Sequence, residues 1–267
     1  MFKSLFATIK PYVDESKLDP ENVIIRTRKP VIVTLTTIPA RMSNVFRIIK
    51  HFLEQVQGVD KVILNVPHSY KRWPDLKVDL KHSITDPRFV INRCEDVGPM
   101  TKFLPTLDIV PDNAILIICD DMCYKLDAFK DIAERAEMYP DRAFSFYVYE
   151  YKPENSDGPS IGVPQGADLI STTINNMRRF PQWFQNFTDR NNISDYKRDS
   201  SCFFVDDQVI AWYFHDMRIP MEQYERKHRN IYIKDCEISD TNHNLNNQKG
   251  EAERNSVMAS CYRDMSN

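Results

Sequence analysis

Ala114-Ile115-Leu116-Ile117-Ile118-Cys119-Asp120-Asp121 is the most apolar run of the chain, and it ends abruptly in two adjacent acids. With no polar face it reads as a strand covered on both sides, as the strands of parallel sheets are. Two further apolar runs lie upstream. Val31-Ile32-Val33-Thr34-Leu35-Thr36 is β-branched and bounded by Pro30 and Pro39, and Lys61-Val62-Ile63-Leu64-Asn65-Val66 is the second. Between them Val45, Ile48, Ile49, Phe52, Leu53 and Val56 recur at helical spacing, with Ser43 as the expected cap and Gly58 at the end. Phe89–Arg93 adds a third upstream strand, and Met100–Leu107 reads as a short helix. Strands alternating with helices predict an α/β fold, with a mostly parallel central sheet and helices on both faces. Ligands of such sheets bind beyond the carboxyl ends of the strands. Thr36–Arg41 and Asp120-Asp121 fall at two such ends.

Downstream, Leu126–Tyr139 has the pattern of an amphipathic helix and Ser145–Tyr151 that of a strand. Gly158, Gly162 and Gly166 are three of only six glycines, which marks residues 152–166 as an expected lid or acceptor loop. Gln208–Met217 reads as a helix and Ile231-Tyr232-Ile233 as a late strand. Residues 1–29 read as an N-terminal extension and 30–267 as a single domain of two halves, 30–125 and 126–267.

The 267 residues carry a formal net charge of -3, with 42% hydrophobic and 27% charged residues, so no basic footprint for nucleic acid is expected. No segment reaches the ~18 consecutive apolar residues of a membrane span. The six cysteines form no C-x-x-C pair, and Cys119 and Cys202 sit in apolar runs as buried thiols would. The expectation is a soluble protein of a reducing, cytoplasmic compartment.

Three polar constellations could carry chemistry. Asp120-Asp121 is either an exposed turn or a place for a hard divalent cation such as Mg²⁺ or Mn²⁺, which takes oxygen ligands and substrate phosphates. In Asp96-Val97-Gly98-Pro99-Met100-Thr101-Lys102, the turn opens a helix whose first N–H groups and lysine suit a phosphate or ribose oxygen, although such loops are common. Asp206-Asp207 is either a pair of acids favoured by a helix dipole or a base for an acceptor hydroxyl. Trp183 with Phe180, Phe184 and Phe187 could stack on a sugar, but this spacing more often builds core, as is expected of Trp212.

Taken in order, Thr36-Thr37-Ile38-Pro39-Ala40-Arg41, Asp96-Val97-Gly98-Pro99-Met100-Thr101-Lys102-Phe103-Leu104-Pro105, Ile117-Ile118-Cys119-Asp120-Asp121-Met122-Cys123-Tyr124 and Cys202-Phe203-Phe204-Val205-Asp206-Asp207 resemble a family of GT-A-fold glycosyltransferases. That family occurs in large DNA viruses of algae and amoebae, and in algae and bacteria. The resemblance covers roughly residues 31–262, and it implies a GT-A fold and a nucleoside-diphosphate-sugar donor (a UDP-sugar first) with a glycan or glycoprotein acceptor. For a viral chain it implies the host cytoplasm. Thr36, Pro39 and Arg41 would line the nucleotide pocket, Asp96 and Lys102 would contact base or ribose, and Asp120 would lie beside the donor. Asp121 would hold Mn²⁺ or Mg²⁺, with His243 as a further ligand. Asp207 or Asp206 would be the base of an inverting transfer, and Asp168 an acceptor contact. In one place the chain departs from the pattern. Cys119 stands where the family has the first acid of its D-D-D motif, which puts the ribose or second metal contact in doubt. A catalytically decayed carbohydrate- or nucleotide-binding protein on the same fold is the alternative. Thr34–Arg41 contains no glycine, which counts against a nucleotidyltransferase, since those enzymes carry a Gly-rich loop after the first strand.

Overall fold

The apolar runs form the centre of one sheet. In a computed structural model describing residues 18, 21–71, 73–151, 161–164, 169–190, 206–225 and 231–233, the elements follow in order. They are β1 (Val23–Ile24), β2 (Val31–Thr36), α1 (Met42–Gln55), β3 (Val56–Gln57), β4 (Lys61–Pro67), β5 (Phe89–Cys94), β6 (Ile115–Ile118), α2 (Leu126–Met138), β7 (Ala143–Ser145), β8 (Val148–Tyr151), β9 (Ile161–Pro164), β10 (Ile170–Thr173), α3 (Ile174–Met177), α4 (Phe180–Arg190), α5 (Asp206–Asp216) and β11 (Met221–Gln223).

Seven strands pair in the order β11-β7-β10-β6-β2-β4-β5. Strands β2, β4, β5 and β6 are mutually parallel, and β10 alone runs against its neighbours β6 and β7. The two-residue strand period sorts the side chains cleanly between the faces. Val31, Val33, Leu35, Val62, Leu64, Val66, Ile115 and Ile117 enter one core with α1 and α2, while Ile32, Ile63, Leu116 and Ile118 enter the other with α3, α4 and α5. Helices therefore cover both faces, as the alternation predicts, and the mostly parallel sheet is observed. Strands β8 and β9 form a separate antiparallel pair.

Local details differ from the sequence reading. Ser43 does not cap α1; Arg41 is the N-cap residue, and a 3₁₀ turn over Pro39–Arg41 leads into the helix. Met100–Leu107 is not a single helix; two 3₁₀ turns, Gly98–Lys102 and Leu104–Thr106, take its place, with Phe103 between them. Pro105 has no N–H to continue a helical ladder, so the segment breaks into short turns. The expected strand Ser145–Tyr151 is split into β7 and β8, and Ile231-Tyr232-Ile233 contributes an isolated bridge from Tyr232 to Tyr124. Residues 21–29 belong to the packed body. Val23 and Ile25 are buried in the first core, β1 pairs with β3, and the N–H groups of Arg26, Arg28 and Lys29 donate to Glu134 and Glu137 of α2. Cys94 and Cys119 are free thiols, Cys119 buried as expected, whereas Cys123 is disulfide-bonded, which does not follow from the expected reducing compartment. No described helix is long and apolar enough to cross a membrane.

Candidate functional site

The chain lays β2, β4 and β5 side by side in one direction, then returns to place β6 on the other side of β2. Winding therefore reverses between β2 and β6, and the loops leaving their carboxyl ends diverge around a crevice. Thr37–Arg41 leaves β2 on one side of this switch point, and Asp120-Asp121 leaves β6 on the other.

Asp121 ties the two sides together. Its Oδ2 accepts a hydrogen bond from Thr37 Oγ1 at 2.6 Å, and its Oδ1 meets Arg41 Nη1 at 3.0 Å. Pro39, whose ring fixes φ, starts the tight turn that brings Arg41 back over the end of β2. Tyr70, in the loop after β4, donates its hydroxyl to the Thr37 carbonyl at 2.9 Å and so fixes the Thr37 backbone. Burial pushes the Asp121 carboxyl above its ordinary pKa, while Arg41 and the Thr37 hydroxyl act in the opposite direction. Arg41 Nε is buried and has no hydrogen-bond partner among the described residues.

Lys102 forms the second centre. Its ammonium pairs with Asp120 at the end of β6 and with Asp206 in the first turn of α5, and its side chain is 9% exposed. Burial alone would lower the lysine pKa; Asp120, Asp206 and Asp207 outweigh it and hold the ammonium well above its ordinary range. The backbone beneath is anchored as firmly as the side chain. Thr34 Oγ1 donates to the Lys102 carbonyl at 2.6 Å, and Asn65 Nδ2 lies 3.1 Å from the same oxygen, 3.0 Å from Thr34 Oγ1 and 2.8 Å from Thr106 Oγ1. Thr34 and Thr106 are themselves 2.7 Å apart, and Asn92 donates to Asn65 Oδ1 at 2.8 Å. Thr34, Asn65 and Thr106 are fully buried, so this network is a polar plug in an otherwise apolar layer.

Asp96 is committed to backbone. Its Oδ2 accepts from the Lys71 N–H at 2.7 Å and its Oδ1 from the Gly98 N–H at 2.9 Å, joining the loops after β4 and β5. Gly98 has φ +64°, a conformation that glycine adopts without strain. Thr36 likewise has a structural partner, donating to the Asn65 carbonyl at 2.8 Å. Among the residues singled out from sequence, the fold brings Arg41, Lys102, Asp120, Asp121 and Asp206 into two linked ion-pair centres, with Asp207 adjacent in α5. Asp168 and His243, and most of the glycine-bearing loop, lie outside the described residues. Phe180, Phe184 and Phe187 are core, as is Trp212, and Trp183 donates its indole N–H to Asp216 at 2.8 Å.

Sequence reading missed Thr34, Thr37, Asn65, Tyr70 and Thr106, and gave no role to Tyr124, whose oxygen accepts the Asp120 N–H at 3.2 Å. A polar residue inside a strand predicted to be covered on both faces was the available signal for Thr34 and Asn65.

The arrangement can be tested against a divalent cation. Both Asp121 oxygens are engaged by Arg41 and Thr37, one oxygen of Asp120 accepts a hydrogen bond from Lys102, and Asp206 Oδ2 is ion-paired with Lys102 without a hydrogen bond among the described residues. Cys119 continues the β6 alternation into the α1/α2 core, 4% exposed, with its Sγ 3.7 Å from the Thr34 carbonyl, and burial pushes its thiol pKa strongly upward. An acid in its place would face the core and not the crevice. Among the described residues no group of three or more His, Cys, Asp or Glu side chains is arranged to hold a metal ion. As placed, these side chains do not fit a divalent cation.

No family model matches the chain, and no curated protein matches its sequence. Solved structures do resemble it. The 2-C-methyl-D-erythritol 4-phosphate cytidylyltransferase of Francisella tularensis aligns with a TM-score of 0.42 at 15% identity, covering 78% of this chain and 94% of that one. A 4-diphosphocytidyl-2C-methyl-D-erythritol synthase gives 0.45 at 10% identity with the same coverage, and the cytidylyltransferase of Thermus thermophilus gives 0.42 at 8%, covering 88% and 100%. At these scores the likeness carries neither a family nor an activity.

Proposed function

We propose that the crevice between the ends of β2 and β6 binds a nucleoside-diphosphate sugar, and that the chain transfers the sugar to a hydroxyl of a glycan or glycoprotein. The observation that carries this reading is the position of two cations, the partly buried Arg41 and the buried Lys102, at the topological switch point of a parallel sheet. The ordered motifs that resemble GT-A glycosyltransferases support it. Arg41 and Lys102 are the groups suited to the diphosphate, each able to re-pair from a carboxylate to a phosphate oxygen. Asp207, partly exposed at the start of α5, is suited to the acceptor side. As the acceptor oxygen bonds to the anomeric carbon, the bond to the diphosphate breaks and its electron pair leaves with the phosphate oxygen. The hydroxyl proton passes to the Asp207 carboxylate. No step is assigned to Mn²⁺ or Mg²⁺.

A nucleoside diphosphate at a hundred times its Kd stabilises the folded chain by about 2.7 kcal/mol, which a thermal melt detects. A panel of nucleoside diphosphates that leaves the melt unmoved removes the donor site. Binding without transfer is the second reading, favoured by the fact that Asp120, Asp121 and Asp206 are all held by internal partners. Hydrolysis of an NDP-sugar by the wild-type chain, lost in Asp207→Asn, selects transfer; binding without any turnover selects the second reading.

A further inference from the structure

Three observations converge on the ammonium of Lys102. It lies between carboxylates from two distant segments, Asp120 at the end of β6 and Asp206 at the start of α5. Its carbonyl is held from below by Thr34 and Asn65, fully buried residues of two adjacent strands, so the lysine is positioned from both ends. The remaining acid of the loop, Asp121, has both oxygens engaged by Arg41 and Thr37. A divalent ion bridging Asp120 and Asp206 would have to enter the place where the ammonium now lies, and like charges at that separation repel strongly in a buried setting.

We propose that Lys102 is a built-in cation: its ammonium takes the place a divalent ion would hold between Asp120 and Asp206, and the crevice binds a nucleoside diphosphate without metal. The second half of this inference rests on the donor-site reading above; the first half does not. A tethered ammonium differs from a metal ion in two ways. It cannot be removed by chelators, and it supplies hydrogen-bond donors where a metal supplies coordination sites. The charges around Lys102 and Asp121 then find their partners within the chain: Lys102 serves Asp120 and Asp206, and Arg41 serves Asp121.

The test uses the full chain and two probes. Mn²⁺ alone is titrated while its free-ion electron paramagnetic resonance signal is followed, and UDP, GDP, ADP and CDP are titrated calorimetrically in EDTA and in Mn²⁺. The wild-type chain is expected to leave the free Mn²⁺ signal undiminished. Lys102→Ala, which leaves Asp120 and Asp206 facing each other without a counter-charge, is expected to take up Mn²⁺; Lys102→Met carries the same expectation should the alanine variant not fold. The diphosphate that binds is expected to show the same affinity in both buffers to within about twofold. Stoichiometric Mn²⁺ uptake by the wild type, no uptake by a folded Lys102 variant, or a gain of about tenfold in diphosphate affinity with Mn²⁺ would each overturn the proposal. If no diphosphate binds in either buffer, the donor reading falls, and the Mn²⁺ titrations alone decide the place of the cation.

Discussion

Asn65→Leu removes the centre of the polar plug beneath Lys102 while keeping the number and branching of the side-chain heavy atoms. The Asn65 amide has two hydrogens and three acceptors within reach, at 3.0 Å (Thr34 Oγ1), 3.1 Å (Lys102 O) and 2.8 Å (Thr106 Oγ1), so two bonds are made at a time. Its Oδ1 accepts a third bond from Asn92 at 2.8 Å. At about 1 kcal/mol each, the three bonds sum to about 3 kcal/mol. Thr34 still donates to the Lys102 carbonyl, so that oxygen is not orphaned, and leucine adds apolar burial of about 1 kcal/mol in the opposite direction. The net expectation is a loss of about 2 kcal/mol, or a melting temperature lower by about 4–6 °C for a chain of this size. Urea denaturation reads it as a lower midpoint at unchanged slope. A double-mutant cycle with Lys102→Met should give a coupling of about 1 kcal/mol, because the plug holds the lysine backbone. A midpoint equal to wild type, or strict additivity with Lys102→Met, would refute the anchoring argument.

The other substitutions probe the two sides of the crevice. Arg41→Met leaves the Asp121 carboxylate with only Thr37, and breaking such a buried pair costs about 3 kcal/mol near neutral pH. Burial already raises the Asp121 pKa, so its contribution to stability is present at low pH and is lost as pH rises through the folded value. Removing Arg41 raises that value further, so the loss measured by urea titration should be larger at neutral pH than within the ordinary carboxylate range; an equal loss at both would remove Arg41 as the counter-charge. Cys119→Asp restores the acid that the resembling family carries, yet it should cost about 3 kcal/mol and bring no Mn²⁺ binding, since the side chain faces the core beside the Thr34 carbonyl. A stable Cys119→Asp chain that binds Mn²⁺ would show that this position faces the crevice after all. Gly98→Ala should cost about 1 kcal/mol for its φ of +64° alone. Gly58→Ala should cost more in the same thermal melts, because its φ is +82° and an added Cβ would lie 2.1 Å from the Ile25 carbonyl oxygen; the reverse order would contradict the packing of residues 21–29.

The strands were legible because their residues have no polar alternative. The runs Val31–Thr36 and Ala114–Cys119 have to be covered on both faces, and covering them demands helices above and below. That argument also located the carboxyl-end loops, and with them Arg41, Asp120 and Asp121. Partners were not legible, because they depend on register between strands far apart in sequence. Thr34 and Asn65 each look like a single polar residue in an apolar strand, and only the pairing of Thr34 with Ile63 and of Thr36 with Asn65 brings them under Lys102. For the same reason the backbone partners of Asp96, the N–H groups of Lys71 and Gly98, were not legible; its role as a base or ribose contact came from the family resemblance alone. Parity settled Cys119. As the residue following a four-residue strand whose odd-numbered members face α1 and α2, it had to face them as well.

The bonds across the switch point also bear on the order of folding. Arg41 and Thr37 are separated from Asp121 by 80 and 84 residues of chain, and Arg26 from Glu134 by 108. None of these pairs can close before β2 and β6 lie side by side, because the loop entropy has to be met first by strand pairing and apolar burial. Until then each acid and each base remains hydrated and separate. The charged crevice is thus completed late by contacts made elsewhere, and substitutions within it should speed unfolding while leaving the rate of folding nearly unchanged.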